Sequence, residues 1–320
     1  MTSSPKKKAK AIVWNAADYA ANSAVQQSWA RELIAKLRLH GSEHILDVGC
    51  GDGKVSAELA RAVPRGSVTG VDASPQMIAF ARKTFPTAEI SNLNFQIMDA
   101  RKIQPSQFDV RGKGLTPSPR PSGERAGVRG FEFEAKGLLA PALSSPGEGE
   151  GEISQKFDLV FSNAALHWVD DHPAFLRGAA ACLRSGGRLV VSCGGKGNAQ
   201  DVFMALRGEM RLKRWRAFFR KLEAAYFFHR PEEYEKWLPR YGFKTQSVQL
   251  APKDVAYPDR AGLATWLRTT WLPYTHRVPD RLREEFIAAV VNRYIARHPL
   301  DAAGLVHVRM VRLEIDALKI

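Results

Sequence analysis

Cysteine is scarce in this chain of 320 residues: Cys50, Cys182 and Cys193 stand far apart. Three scattered thiols exclude a disulfide framework and a zinc cluster, so no metal is expected, and they suit a reducing compartment. No apolar run approaches the ~18 residues of a membrane span. The opening MTSSPKKKAK is basic but has no apolar stretch behind it, so it reads as a solvated tail and not a secretory signal. The expected location is the cytoplasm, with no membrane partner. No GK[ST] follows a glycine turn, which excludes a P-loop. No internal repeat is visible. Acid is in deficit, with 33 Asp and Glu against 47 Lys and Arg and a net charge of +14. Such a charge suits nucleic acid, an acidic small substrate or solubility alone, and does not choose among them. What is plentiful is apolar surface: hydrophobic residues make up 45% of the chain, enough for a sizeable core.

The pattern is organised around HILDVGCGDGKV, residues 44–55. A short apolar run ends in Asp47, then Gly49, Gly51 and Gly53 make a turn, and a helical period begins at Lys54. Strand, glycine turn and helix in that order bring a ligand close to backbone N–H groups. The period predicts a helix over about 54–63, a second strand in SVTGVDAS ending at Asp72, and a helix begun by Ser74 and Pro75. A third strand, NFQIMDA, ends at Asp99. Three strand–helix units in so few residues predict a doubly wound parallel sheet.

Residues 105–155 are rich in Pro, Gly, Ser and charge and hold no period, which predicts an insertion between strands three and four, first a disordered spacer and second a partner-binding arm. FDV (108–110) and FDLV (157–160) bracket it, and the second copy begins the fourth strand. A helix over about 171–184 and a strand over 188–193 follow. Before the first strand, residues 16–38 read as amphipathic helix: either packing only, or a lid that brings Tyr19, Gln26 or Gln27 to a ligand. Beyond residue 200 the expectation is a basic, aromatic helical region (200–228), a short helix (231–240), a strand broken around Pro252 (243–257), more helix (259–297) and a last strand. In that strand the apolar alternation slips between Met310 and Val311, which suggests a bulge. The expected organisation is a tail and lid helices (1–40), a core (41–200), and cap helices with the last two strands of the same sheet (201–320).

The chemistry narrows from here. The turn reads G-x-G-x-G after an acid, not the dinucleotide G-x-G-x-x-G. Asp72 is placed to accept both hydroxyls of a ribose, and Asp99 to accept from an exocyclic amine. Two acids disfavour a pyrophosphate and suit a ligand carrying an ammonium and a sulfonium. LDVGCGDG, VDAS, MDA, FDLVFSNAALHWV and LRSGGRLVVS together resemble the class I S-adenosylmethionine-dependent methyltransferases. The resemblance covers about 40–200 and implies an α/β, Rossmann-like, doubly wound sheet of seven strands, the last antiparallel, with helical cap segments. It implies that Asp47, Gly49, Cys50, Gly51 and Gly53 form the donor turn, that Asp72, Ala73, Ser74 and Met77 lie by the ribose and adenine, that Asp99 and Ala100 meet the adenine, and that Asn163 and Ala164 close the methionine end. Cys50 is explained better as a small buried residue than as a nucleophile.

More narrowly, WNAADYAANSAVQQSWARELIAKL, SNAALHWVDDHPAFL and WLRTTWLPY resemble the trans-aconitate methyltransferase-like branch, and malonyl-carrier O-methyltransferases share much of the pattern. That branch lacks the 105–155 segment. The expected reaction is O-methylation of a small, acidic acceptor with S-adenosylmethionine. A carboxylate acceptor needs no base, whereas a phenol, amine or carbon acceptor does. His167 is the candidate base or substrate contact, and a structural histidine beside Trp168 is the other reading. His172 reads as a helix-start residue. Tyr19, Trp168, Arg268, Tyr274 and His276 are the candidate substrate residues, with Arg277 beside them. Rival readings are an RNA or protein methyltransferase, against which SNAALH stands where N-P-P-[YF] would be expected, and a donor-binding scaffold without activity. The basic residues Arg207, Arg211, Lys213, Arg214, Arg216, Arg220 and Lys221 read first as a solvated helix, then as an entrance for acids, and last as a nucleic-acid surface.

Overall fold

A computed structural model describes residues 16–108 and 156–320. The chain divides into a unit of residues 1–105 and 156–320 and a second of residues 106–155; only the first is treated below. The N-terminal tail and nearly all of the expected 105–155 insertion lie outside the described residues.

Seven strands form one sheet in the order β3-β2-β1-β4-β5-β7-β6. The first four in the chain, β1 (His44–Val48), β2 (Ser67–Asp72), β3 (Leu93–Ile97) and β4 (Phe157–Asn163), run parallel, with β5 (Leu183–Gly194) parallel to β4. β7 (Val306–Lys319) runs antiparallel to both β5 and β6 (Phe243–Tyr257). The buried run of β1 is covered by α2 (Ala24–Ala35), α3 (Lys54–Ala62) and α4 (Pro75–Thr84) in one apolar cluster that includes Ile45, Leu59, Ile78 and Phe95. The other cluster packs α6 (Gln200–Met210), α8 (Arg260–Thr270), α9 (Leu272–Thr275) and α10 (Asp280–Ile295) on the β6–β7 end, around Trp215, Phe286 and Val306. Two further helices complete the unit, α5 (His172–Cys182) and α7 (Pro231–Arg240), and α1 (Ala16–Asn22) precedes α2.

Local chemistry fixes the helix starts. Ser74 Oγ accepts from Met77 N–H ahead of Pro75, and Asp171 and Asp259 do the same for α5 and α8. At α7, Glu233 reaches back to the N–H of Arg230 (2.7 Å).

Four expectations need correction. The basic region is helical only to Met210; a short 3₁₀ turn, Arg216–Phe219, follows, so the seven cations do not share one helix. α5 ends at Cys182, and Gly186 and Gly187 lie in β5. β6 is continuous through Pro252, because it is the edge strand and a missing N–H costs nothing there; its irregularity lies between Thr245 and Ser247. Finally, β7 has no bulge at Met310–Val311, where pairing with Lys253 and Pro252 is regular. The slip in alternation has another cause. Val306, Val308, Met310 and Arg312 are buried on one face, and Leu313, Ile315 and Ala317 on the other. The strand changes which face is covered, without changing register.

Candidate active site: a donor turn and an aromatic acceptor cavity

The glycine turn ends β1 at the middle of the sheet, where the strand order reverses. Gly49 and Cys50 donate to Val71 O (2.7 and 3.0 Å), which pins the turn to β2. Gly49 has φ +78°, and a Cβ there would lie 2.1 Å from Ala165 Cβ. Gly51 (φ +54°) is different: its Cβ position is open, with only the Tyr19 ring at 3.8 Å. One glycine serves packing and the other leaves approach space. Gly51 N–H donates to Asp72 Oδ2 (3.1 Å), and Ser74 N–H to Asp72 Oδ1 (2.8 Å). Burial pushes the Asp72 carboxyl up, against those two hydrogen bonds. Asp47 is 2% exposed. Burial raises it to about 7, although Ser56 Oγ donates to it at 2.6 Å. Asp99 caps the 3₁₀ turn Ala100–Lys102 and takes Arg101 on both oxygens (2.6 Å to Oδ2), which lowers its pKa. Ala73 is exposed and Met77 buried, on either side of the Ser74 cap.

α1 and α2 lie against the turn. Ser23 Oγ donates to Asp52 Oδ2 (3.3 Å), and Lys54 Nζ reaches Asp52 (3.2 Å) and Ala20 O. A small cavity therefore opens between Tyr19, Ser23, Gln26 and Gln27 on one side and Asp47, Gly49, Cys50, Gly51 and Asp52 on the other, closed by Asn163 and Ala164. The lid reading of these helices has this geometry in its favour.

A larger cavity of about 470 Å³ adjoins it. Tyr19, Gln26 and Ala164 line both. Ala164 has φ +56°, a left-handed conformation that costs a non-glycine residue free energy. The walls are Trp29, His167, Trp168, Tyr226, Phe228, Trp266 and Trp271, with Met310 and Arg312 from β7. Tyr226 and Phe228 stack at 5.6 Å, and Trp168 meets Tyr226 at 4.6 Å. His167 Nδ1 accepts from Gly194 N–H (3.3 Å), so a neutral ring carries its proton on Nε2. Burial, with Arg312 and His172 nearby, lowers His167 to about 3. Its basic lone pair is occupied and weak. His172, as expected, starts α5 and is buried, with Nε2 against Leu166 O (2.9 Å) and Nδ1 against Tyr234 Oη (2.5 Å).

Arg312 was invisible as a site residue in the sequence. It is 3% exposed. Nη2 donates to Ser192 O (2.5 Å) and Asn163 Oδ1 (3.1 Å), Nε donates to Ser192 Oγ (3.1 Å), and the guanidinium lies 4.7 Å over the Trp29 ring. The one available signal is its phase: it continues the buried series Val306, Val308, Met310, where an apolar residue is due.

Of the expected substrate residues, Tyr19 and Trp168 line the cavity. Arg268, Tyr274 and His276 do not. Arg268 is paired with Glu284 (2.5 Å), Tyr274 packs behind Tyr226 and Trp271, and His276 follows the end of α9. Arg277 donates weakly to Phe218 O and Lys221 O, away from the cavity. Charge and position in the chain did not reveal which way these side chains face.

The profile of a family described as methyltransferase domain matches residues 21–248. The chain belongs to this methyltransferase family. Among curated relatives, an uncharacterized methyltransferase of Schizosaccharomyces pombe is 27% identical over 87% of this chain and 89% of its own length. A trans-aconitate 2-methyltransferase of Delftia acidovorans is 25% identical over 91% and 92%, and one of Methylobacterium nodulans is 25% identical over 94% and 96%. The methyltransferase is thus a class I, S-adenosylmethionine-dependent enzyme near that branch. Its fold resembles the YcgJ protein of Bacillus subtilis (TM-score 0.50, 14% identity, 92% of this chain and 98% of that one). It also resembles a phosphoethanolamine N-methyltransferase of Haemonchus contortus solved with S-adenosylhomocysteine (TM-score 0.51, 12% identity, 95% and 57%). No helix among the described residues is long and apolar enough to cross a membrane.

The residues around the methyltransferase's turn fit a cationic donor. The small cavity offers two acceptors, Asp47 and Gln26, whose Oε1 is buried without a hydrogen-bond partner among the described residues. Lys54, the cation lining it, is neutralised by Asp52. An ammonium and a sulfonium would complete these acceptors.

Proposed function

We propose that the methyltransferase O-methylates the carboxylate of a small acid. The observation that carries this reading is the lack of a base in the larger cavity. Among the described residues its lining holds no Asp, Glu or Lys. His167 is held neutral, with its lone pair on Gly194 N–H. Tyr226 donates to Thr270 O (2.7 Å), and burial raises its pKa. A phenol or ammonium acceptor must lose a proton to become nucleophilic, and no residue of this lining is set to take one. A carboxylate is already ionised at neutral pH.

Bound S-adenosylmethionine supplies an activated methyl group, which leaves as the C–S bond breaks. In this reading Asp72 holds the ribose hydroxyls, with its orientation set by Gly51 and Ser74 N–H. Asp47 and Gln26 Oε1 receive the ammonium. Asp99, Ala100, Ser74 and Met77 border the adenine. Tyr19, Gln26 and Ala164, shared by the two cavities, border the place where acceptor oxygen and methyl carbon meet. A carboxylate oxygen would take the methyl group without any proton transfer, so no residue of the lining need act as acid or base. The residues act by positioning and by excluding water, an effect able to supply roughly 7–11 kcal/mol of the barrier.

Release of S-adenosylhomocysteine from a panel of acids, phenols, amines and tRNA tests this. Turnover of carboxylic acids is expected, with kcat/KM for the acid flat from about pH 6 to 9 at saturating donor, where the acceptor stays ionised. Turnover confined to phenols, amines or tRNA would refute the reading.

A further inference from the structure

The larger cavity pairs a single built cation with an aromatic wall. Arg312 is the one Lys or Arg among the described residues of its lining. Among the described residues no carboxylate lies within salt-bridge distance of it; Glu314, two positions along β7, turns to Lys36 (3.6 Å). An unpaired buried guanidinium costs several kcal/mol unless something compensates it. Ser192, Asn163 and the Trp29 face hold it in place, but they supply dipoles, not a charge. Nε and Nη2 are occupied by these partners. Nη1 makes no hydrogen bond among the described residues.

Resting on the carboxylate reading above, we infer that the acceptor is a monocarboxylic acid with an aromatic or aliphatic body, held end-on through Arg312 Nη1. The usual side-by-side fork of arginine and carboxylate is unavailable, because Nε and Nη2 already face Ser192 and Asn163. One carboxylate oxygen takes Nη1, and the other stays unbonded as the nucleophile. The position is right for this: Arg312 touches Asn163, which closes the donor cavity, while Arg312 itself lines the acceptor cavity. The rest of the acceptor meets Trp168, Tyr226, Phe228, Trp266 and Trp271 in a volume that accepts a drug-sized body. A tricarboxylate would leave two carboxylates against those rings without cations. The acceptor therefore differs in class from the one in the names of the trans-aconitate relatives. The step balances as an ester formed from a carboxylate and a sulfonium methyl, with S-adenosylhomocysteine as the other product.

Turnover is measured for phenylacetate, indole-3-acetate, decanoate, citrate and trans-aconitate, with binding to the S-adenosylhomocysteine-loaded protein followed by calorimetry. The monocarboxylates are expected to lead the two tricarboxylates by at least about 30-fold in kcat/KM, since an uncompensated buried charge costs about 2 kcal/mol or more. Comparable or better turnover of the tricarboxylates overturns this inference and leaves carboxylate O-methylation standing. Turnover of neutral acceptors alone overturns both. Failure of all three monocarboxylates to bind overturns the inference as well. Arg312→Gln is expected to raise KM for the best acid about 30-fold, to shift the Kd of S-adenosylhomocysteine by less than about threefold, and to leave inhibition by the acid's methyl ester unchanged. Arg312→Lys, which keeps the charge but not the planar guanidinium, guards against a variant that fails to fold, and a smaller rise in KM is expected from it. A parallel loss of S-adenosylhomocysteine affinity in both variants would assign Arg312 to the donor and refute its role here.

Discussion

Replacing Asp47 by asparagine should separate stability from function in a pH-dependent way. Asp47 sits near the end of β1, 2% exposed, with one hydrogen bond from Ser56 Oγ. Burial raises its carboxyl from 3.8 to about 7. A folded-state pKa above the unfolded one means that the side chain contributes stability below pH 3.8, and that the contribution is lost as pH rises through 7. Between about pH 8 and pH 5 the unfolded chain stays ionised, while the folded protein takes up a proton. Two pH units below the folded pKa, at about 1.36 kcal/mol each, give roughly 2–3 kcal/mol. The substituted asparagine cannot ionise, but its amide oxygen can still accept from Ser56. The stability of Asp47→Asn relative to wild type should therefore rise by roughly 2–3 kcal/mol from about pH 5 to about pH 8, read from urea unfolding curves without donor. Titration of groups that do not interact with Asp47 cancels in the difference; that of Asp72, whose charge raises the Asp47 pKa, does not. The same variant should bind S-adenosylhomocysteine at least about tenfold more weakly, because the acceptor proposed for the ammonium loses its charge. A stability difference that does not change with pH would refute the reasoning, as would a variant that weakens relative to wild type at the alkaline end.

Two other perturbations test neighbouring parts of the site. Asp72→Ala removes the acid aimed by Gly51 and Ser74 N–H; a loss of about 10- to 100-fold in S-adenosylhomocysteine affinity is expected by calorimetry, and an unchanged Kd would unseat the ribose assignment. Ala164→Gly relieves a left-handed backbone at φ +56°, so the urea midpoint should rise by the equivalent of about 0.5–1 kcal/mol, and a lower midpoint would show that the methyl group's packing outweighs the strain.

The turn proposed to hold the donor was legible as a structural unit because it is local. A strand of five residues, a turn that needs glycine, and an acid at the next strand's end all fall between His44 and Ser74, and the chain spells them in order. α7 begins and ends where its period and start predicted. The acceptor half is assembled from segments far apart in sequence: Trp29 from α2, Trp168 after β4, Tyr226 and Phe228 from an irregular stretch, Trp271 after α8, and Arg312 from β7. Periodicity reports that a side chain is buried, not what it is buried against. Arg268 and Tyr274 looked suitable by type, but one turns to Glu284 and the other into the aromatic core. Arg312 was missed for the opposite reason. A charged residue within an apolar alternation reads as a slip in phase unless the strand is known to be covered on both faces.

That two-faced strand also sets where the chain can tolerate insertion or loss of a residue. Upstream of Arg312, β7 presents Val306, Val308 and Met310 to the cap; downstream it presents Leu313, Ile315 and Ala317 to the opposite layer. β6 is locked to it in antiparallel register on both sides of Arg312, and β5 from Arg312 onward. Adding or deleting one residue near Arg312 would invert one half of the strand against the other. It would turn the guanidinium out of the cavity or turn three apolar side chains out of their layer. Along this stretch single-codon insertions and deletions should be purged as strictly as substitutions of the glycine turn, although no residue of β7 belongs to a recognisable motif.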